Sequence, residues 1–356
     1  MIKKLDEFVE KAQVNYDLPG LAVGVGIYGE SGMDIPQLSY RKTVGYKDWE
    51  TKEPLQEDDI FHMASVTKLF VGTSIMQLYE NGQIDLEGTI LDYLPWFTMA
   101  DERYKNITIR QMLSHTSGMP DVEDYCWNEP ETDQGALERY VRSELVTKAH
   151  LLWPPGEGKF AYSNMAYETL GVIIAEVSGM SFEEYVDKNI LKPLEMKDST
   201  LLTYERGIYT DEGPDENLCT PHEKDSEKVI VRVPHFPYNR AHGPSSTLTS
   251  NLRDMEKWAL ANIKKTILKP ETYDIMWTPQ AIVPNNGEEM CLGWFKREQN
   301  GYEFFGHEGT DDGFRSSFWI CPEKRLSITV CSNLSRAPVK RINRQIFDLL
   351  DGLGVW

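Results

Sequence analysis

The spacing of apolar residues changes character twice along the chain. At the start, Leu5, Phe8 and Val9 sit among Asp6, Glu7, Glu10 and Lys11 as an acidic amphipathic helix. Leu21 to Tyr28 and Gln37 to Tyr46 then predict two strands joined by a Gly/Pro turn. From about residue 66 the period turns helical: Val66, Leu69, Phe70, Thr73 and Met76 lie on one helix that Asn81-Gly82 stops. Tyr167 to Val177, Phe182 to Ile190 and Leu252 to Ile263 predict further helices. Beyond them Met290 to Lys296, Tyr302 to His307, Arg315 to Ile320 and Leu326 to Cys331 read as strands. Gln299-Asn300-Gly301, Asp311-Asp312-Gly313 and Pro322-Glu323-Lys324 separate them, and turns that short require antiparallel pairing. A last helix, Ala337 to Leu353, places Val339, Ile342, Ile346, Leu349 and Leu350 on one face.

The fold class this predicts is α+β. One antiparallel sheet forms from both chain ends, terminal helices flank it, and a mostly helical region is inserted. The expected organisation is a single catalytic unit over 1–356, with 1–65 and 276–356 forming the sheet part and 66–275 the helical part. Catalytic residues are expected in the cleft between them.

At 356 residues the chain can bury a large core. A formal net charge of −19 with no basic cluster longer than a pair argues against nucleic acid as a partner. No run of about 18 apolar residues predicts a membrane span, and the acidic first helix is unlike a secretory leader, so the expected location is cytoplasmic. The five cysteines are scattered without a Cys-x-x-Cys pair and no His-Glu-x-x-His occurs, so the expectation is ordinary thiols and no metal. Nothing in this composition sets an oligomeric state.

Chemistry concentrates at Ser65-Val66-Thr67-Lys68. Residues three apart on a helix are neighbours, so the Lys68 amine can take the Ser65 proton. Ser65 also falls at the positive end of the helix, where a backbone N–H is free for a developing oxyanion. Ser39-Tyr40-Arg41-Lys42 has the same spacing but lies in a predicted strand, where such residues face opposite ways. A lysine-activated serine needs a second proton handler and a substrate-binding edge. Of three Tyr-x-Asn triplets, Tyr162-Ser163-Asn164 alone follows a Pro/Gly loop and precedes a helix. His307-Glu308-Gly309 ends a predicted strand; Gly309 would let substrate approach the backbone, and an N–H near Thr310 could complete an oxyanion site.

Taken in order, Ser65-x-x-Lys68, Tyr162-x-Asn164 and His307-x-Gly309 resemble the serine β-lactamase and penicillin-binding-protein superfamily, in its class C-like branch of esterases, D-amino-acid peptidases and β-lactamases. Phe61 to Lys68, Leu113 to Pro120, Pro155-Gly156 through Tyr167, and Gly306 to Gly309 look like that family's segments in its order, and the likeness runs from about Pro19 to Leu334. The resemblance implies Ser65 as acylated nucleophile, Lys68 as base and Tyr162 as proton relay. Asn164, His307, Gly309 and Thr310 would hold substrate, with the Ser65 and Thr310 N–H groups binding the oxyanion.

Departures bear on substrate. Penicillin-cleaving members usually carry Lys-Thr-Gly where this chain has His307-Glu308-Gly309, so a fixed cation is missing unless Arg315 restores one. Glu308, Asp311 and Asp312 would suit an amine-bearing substrate, and Tyr125, Trp127, Trp153, Trp277 and Trp294 could line an apolar acyl pocket. His62 takes a place often held by Arg or Pro, and Ala241 to Thr247 a loop that is more glycine-rich in relatives. The leading expectation is a cofactor-free hydrolase of small-molecule esters, amides or peptides acting through an acyl-enzyme. D-amino-acid peptidase or amidase comes next, then weak β-lactamase, then a non-catalytic sensor or binder of the same fold.

Overall fold

The structure, a computed structural model, describes residues 1–29 and 36–356. Its longer helices are α1 (Ile2–Asn15), α2 (Thr67–Glu80), α3 (Asn164–Ser178), α4 (Leu252–Ile263) and α5 (Val339–Gly352). Its longer strands are β1 (Gly20–Tyr28), β2 (Pro36–Asp48), β3 (Phe295–Gln299), β4 (Tyr302–Asp311), β5 (Phe314–Cys321) and β6 (Leu326–Ser332). The turn expected between β1 and β2 lies outside the described residues.

Among the described residues nine strands form one antiparallel sheet, in which β2, β1, β6, β5, β4 and β3 are consecutive neighbours. The pairing of β1 with β6, Leu21 opposite Ser332 through Ile27 opposite Leu326, joins the two chain ends. Strand alternation sends side chains to two faces. On one face Leu21, Val23, Trp319 and Ile328 pack with Leu5 and Val9 of α1 and Ile342 and Ile346 of α5. On the other, Ala22, Phe305, Phe318 and Ile320 belong to the larger core that includes α2, α3 and α4. The sheet therefore lies between the terminal helices and the helical region.

Two local expectations change. Met290 to Lys296 is not one strand: Glu289–Met290 and β3 are separate, because Gly293 adopts φ +80° between them. A Cβ at Gly293 would stand 2.8 Å from the Gly72 Cα of α2, so the chain bends where helix and sheet backbones touch. Ser65 lies not in the first α-helical turn but in a single 3₁₀ turn, Ala64–Val66, leading into α2. Ser39 and Lys42, the same spacing elsewhere, are on β2 and engage Glu256 and Glu10 respectively. Among the described residues no helix is long and apolar enough to cross a membrane.

Candidate active site

The 3₁₀ turn bearing Ser65 is held from three directions. Ala64 takes φ +48°, a conformation that costs a non-glycine residue about 1–2 kcal/mol and persists only under external constraint. The constraint comes from Ser316 Oγ, which donates to the Met63 carbonyl at 2.7 Å, and from Thr67 Oγ1, which donates to the Ala64 carbonyl at 2.6 Å and accepts from the Leu248 N–H at 3.0 Å. Gly309 completes it: a Cβ there would stand 2.2 Å from the Met63 carbonyl oxygen and 2.1 Å from Ser316 Oγ. Strand β3 pairs with β4 only from Tyr302 to Gly306, so beyond Gly306 the edge of β4 is open beside this turn.

Within this frame the Lys68 amine donates to Ser65 Oγ at 3.0 Å and to the Ser245 carbonyl at 2.8 Å. Lys68 is fully buried, and desolvation brings its amine down to about 8 against the opposing pull of Glu168, Asp311 and Asp121. Tyr162 hydrogen-bonds Ser65 from the other side; burial pushes its phenol well above its ordinary range, partly offset by that bond. Its ring lies 5.0 Å from the Lys68 amine and 4.2 Å from the His115 ring. Serine, amine and phenol thus share one hydrogen-bonded centre. The amine, brought toward neutrality, is its strongest available base at neutral to mildly alkaline pH.

Asn164 is the first residue of α3, whose N-cap, Ser163, accepts the Ala166 N–H and donates to the Pro120 carbonyl. Asp121 Oδ1 receives both the Asn164 N–H at 2.7 Å and its Nδ2 at 2.8 Å, which leaves Oδ1 of Asn164 buried without a partner. The side chain therefore presents an acceptor. His307 donates through Nδ1 to the Glu308 carbonyl at 2.6 Å, and its buried Nε2 is also unpartnered. Burial and the nearby Lys68 hold the imidazole down to about 3, so it is neutral. A cleft of about 520 Å³ brings together Ser65, Tyr162, Asn164, His307, Thr310 and Arg315, with Tyr125, Trp127, Phe160 and Phe295 as aromatic walls.

Residues 5–351 match the family model described as Beta-lactamase. The chain belongs to the Beta-lactamase family. Among its relatives, Protein flp of Staphylococcus aureus (strain MW2) is 27% identical over 350 residues, which is 96% of this chain and 64% of the relative. Penicillin-binding protein 4* of Bacillus subtilis (strain 168) is 25% identical over 311 residues, covering 83% of this chain and 65% of that protein. The chain thus spans somewhat less than two thirds of the length of these relatives. The octameric penicillin-binding protein homologue from Pyrococcus abyssi superposes with a TM-score of 0.85 at 26% identity, over 99% of this chain and 77% of that one. D-amino acid amidase from Ochrobactrum anthropi SV3 shares the fold, with a TM-score of 0.81 at 20% identity and 99% of both chains covered.

Several expectations about the surroundings are revised. Glu308 borders the cleft, but one oxygen of its carboxylate is already engaged, accepting from Trp319 Nε1 at 2.7 Å. Asp311 is occupied by His62 Nε2 at 2.7 Å and by the Ser246 hydroxyl, and Asp312 lies 3.3 Å from His235 Nε2. His62 thus makes a buried tie between the segment before Ser65 and the end of β4. Arg315 stands at the cleft rim opposite Thr310 and donates through Nη1 to the Asp311 and Phe314 carbonyls. Of the five aromatic residues considered for an acyl pocket, Tyr125 and Trp127 line the cleft. Trp277 and Trp294 are core, and Trp153 lines a separate groove.

Sequence reasoning missed His115, Asp121 and Ser245. His115 Nδ1 accepts the Ser163 N–H at 3.1 Å, and burial holds the ring well below its ordinary range, so it acts as a neutral plate behind Tyr162. Its signal was present in Leu113 to Pro120, but only as part of a resemblance. Ser245 fell within the loop Ala241 to Thr247, also noted only through the resemblance, and the part its backbone carbonyl takes in holding the Lys68 amine leaves no mark on the residue type.

Proposed function

We propose that this chain is a serine hydrolase that cleaves esters or small amides through an acyl-enzyme on Ser65. The observation that carries the reading is the buried Lys68 amine, brought down to about 8 and placed 3.0 Å from the Ser65 hydroxyl. As Ser65 Oγ bonds to the substrate carbonyl carbon, its proton passes to Lys68, and the carbonyl oxygen, now negative, is met by the Ser65 and Thr310 N–H groups. Collapse breaks the bond to the leaving group, which receives the proton from Lys68 through Tyr162. Water then attacks the acyl carbon, with the same two residues taking its proton and returning one to Ser65. The aromatic walls suit an apolar acyl group.

A second reading has its own support. The unpartnered Oδ1 of Asn164 is an acceptor suited to a substrate N–H, which an amino-acid amide has and a simple ester lacks. The fold is also that of a D-amino acid amidase. Steady-state hydrolysis of p-nitrophenyl acyl esters of increasing chain length, set beside D- and L-amino-acid anilides, separates the two. Ester turnover lost in Ser65→Ala supports the esterase, and selective D-anilide turnover supports the amidase. Wild-type turnover of neither series, with Ser65 resistant to acylation, assigns the chain to a non-catalytic binder.

A further inference from the structure

Glu168 is a fully buried carboxylate that the acyl transfer above leaves unused. It lies one helical turn beyond Asn164 on α3, on the same face. Its Oε1 meets His242 Nδ1 at 3.3 Å and its Oε2 has no partner. The imidazole of His242 is gripped edge-on by Tyr140 at 4.6 Å and Tyr125 at 4.9 Å between ring centres. A carboxylate taken out of water costs several kcal/mol unless its surroundings compensate, and one 3.3 Å contact leaves half of this one unsatisfied. Packing alone gives no reason for an acid here.

The geometry leads from Glu168 to the base. His242 opens the turn 242–246, within which Ser245 Oγ donates to the His242 carbonyl at 3.3 Å. The Ser245 carbonyl accepts the Lys68 amine at 2.8 Å. This turn lies directly on α3: a Cβ at Gly171 would stand 2.1 Å from Pro244 Cγ. The groups that face the Lys68 amine are Glu168 and Tyr167 from α3, Asp311 and His307 from β4, His115 and Asp121 from the segment before α3, and Tyr162. Of the three carboxylates Glu168 acts on it most strongly, while Asp311 is engaged by His62 and Ser246 and Asp121 lies at the exposed mouth. No ion pair joins Glu168 to Lys68 among the described residues, so the influence runs through space in a medium of low dielectric.

We propose that Glu168, seated on His242, is a positioning residue for Lys68: the pair fixes the turn whose Ser245 carbonyl orients the amine, and the carboxylate stabilises the ammonium that Lys68 becomes on accepting the Ser65 proton. The proposal rests on the reading of Ser65 and Lys68 given above. It adds a buried acid to the serine–lysine pair in the role of orienting and charge-balancing the base.

The test is the pH profile of kcat/KM for a p-nitrophenyl ester in wild type, Glu168→Gln, Glu168→Asp and Ser65→Ala, with thermal midpoints measured alongside. Glu168→Gln keeps the volume and removes the charge. Its kcat is expected to fall at least about tenfold with KM within about twofold, and its acid limb to move down by about one pH unit, because the amine loses its proton more readily without the carboxylate. Glu168→Asp retains the charge and is expected to keep the acid limb near that of wild type. An unmoved limb in Glu168→Gln, or a loss of activity that only follows the thermal midpoint, would make Glu168 a packing group and overturn the proposal. A wild type whose turnover equals that of Ser65→Ala would instead sink the serine–lysine reading, and this one with it.

Discussion

Replacing Lys68 by Met tests the electrostatics of the site apart from its chemistry. Burial brings the amine from 10.5 to about 8 while its two hydrogen bonds go to Ser65 Oγ and the Ser245 carbonyl. Below about pH 8 the folded protein must either protonate Lys68 in a dehydrated site or hold it neutral against its preference. At about 1.4 kcal/mol per pH unit, this costs about 3 kcal/mol of stability. Between about 8 and 10.5 the unfolded chain binds a proton that the folded chain does not, so stability rises with pH across that window. Met has similar length and no proton to bind, but leaves the Ser245 carbonyl without its donor, a loss of about 1–2 kcal/mol. Lys68→Met is therefore expected to be about 1–2 kcal/mol more stable than wild type at pH 7. The advantage should shrink and reverse as wild type gains about 2.5 kcal/mol relative to the variant by pH 10. Urea unfolding followed by tryptophan fluorescence at pH 7, 8, 9 and 10 reads the difference directly, and effects of other titrating groups cancel in it. Parallel stability–pH curves for the two proteins would refute the claim that Lys68 is held near neutrality.

Other consequences follow from single contacts. Gly309→Ala should cost about 1–3 kcal/mol of stability and most of the activity, since its Cβ would push on the Met63 carbonyl 2.2 Å away and tilt the Ser65 turn; denaturation and turnover should fall together. Asp121→Ala removes the anchor of both Asn164 donors, and kcat/KM for an amide substrate should fall about tenfold with little change in thermal midpoint. Tyr162→Phe keeps the ring against His115 and removes the proton relay, so kcat should fall by about a hundredfold or more while fold and KM are preserved. Wild-type kcat/KM should rise with pH to a plateau above about 8, as Lys68 loses its proton.

The sheet, the terminal helices and the helical insertion were legible because each rests on local periodicity and short turns, which a sequence displays directly. The pairing of β1 with β6 was legible only as an assembly argument, since partners such as Leu21 and Ser332 lie 311 positions apart. The break at Gly293 was not, because it depends on Gly72, a residue distant in sequence that happens to lack a side chain at the same point. The same division holds at the site. Ser65, Lys68, Tyr162 and Asn164 could be chosen as candidates by spacing and context, whereas Asp121, Glu168 and His242 meet their partners only through contacts between segments distant in sequence. The engagement of Glu308 was hidden for the same reason, because its donor Trp319 lies on the neighbouring strand β5.

The central claim is that Ser65 is acylated during turnover. Intact-mass and peptide-mapping mass spectrometry after rapid acid quench from a p-nitrophenyl ester would measure this directly in wild type and Ser65→Ala. An adduct of one acyl group on the peptide carrying Ser65 in wild type, and none in the variant, is the result predicted. Turnover with Ser65 unmodified at every quench time, and undiminished in Ser65→Ala, would contradict the account.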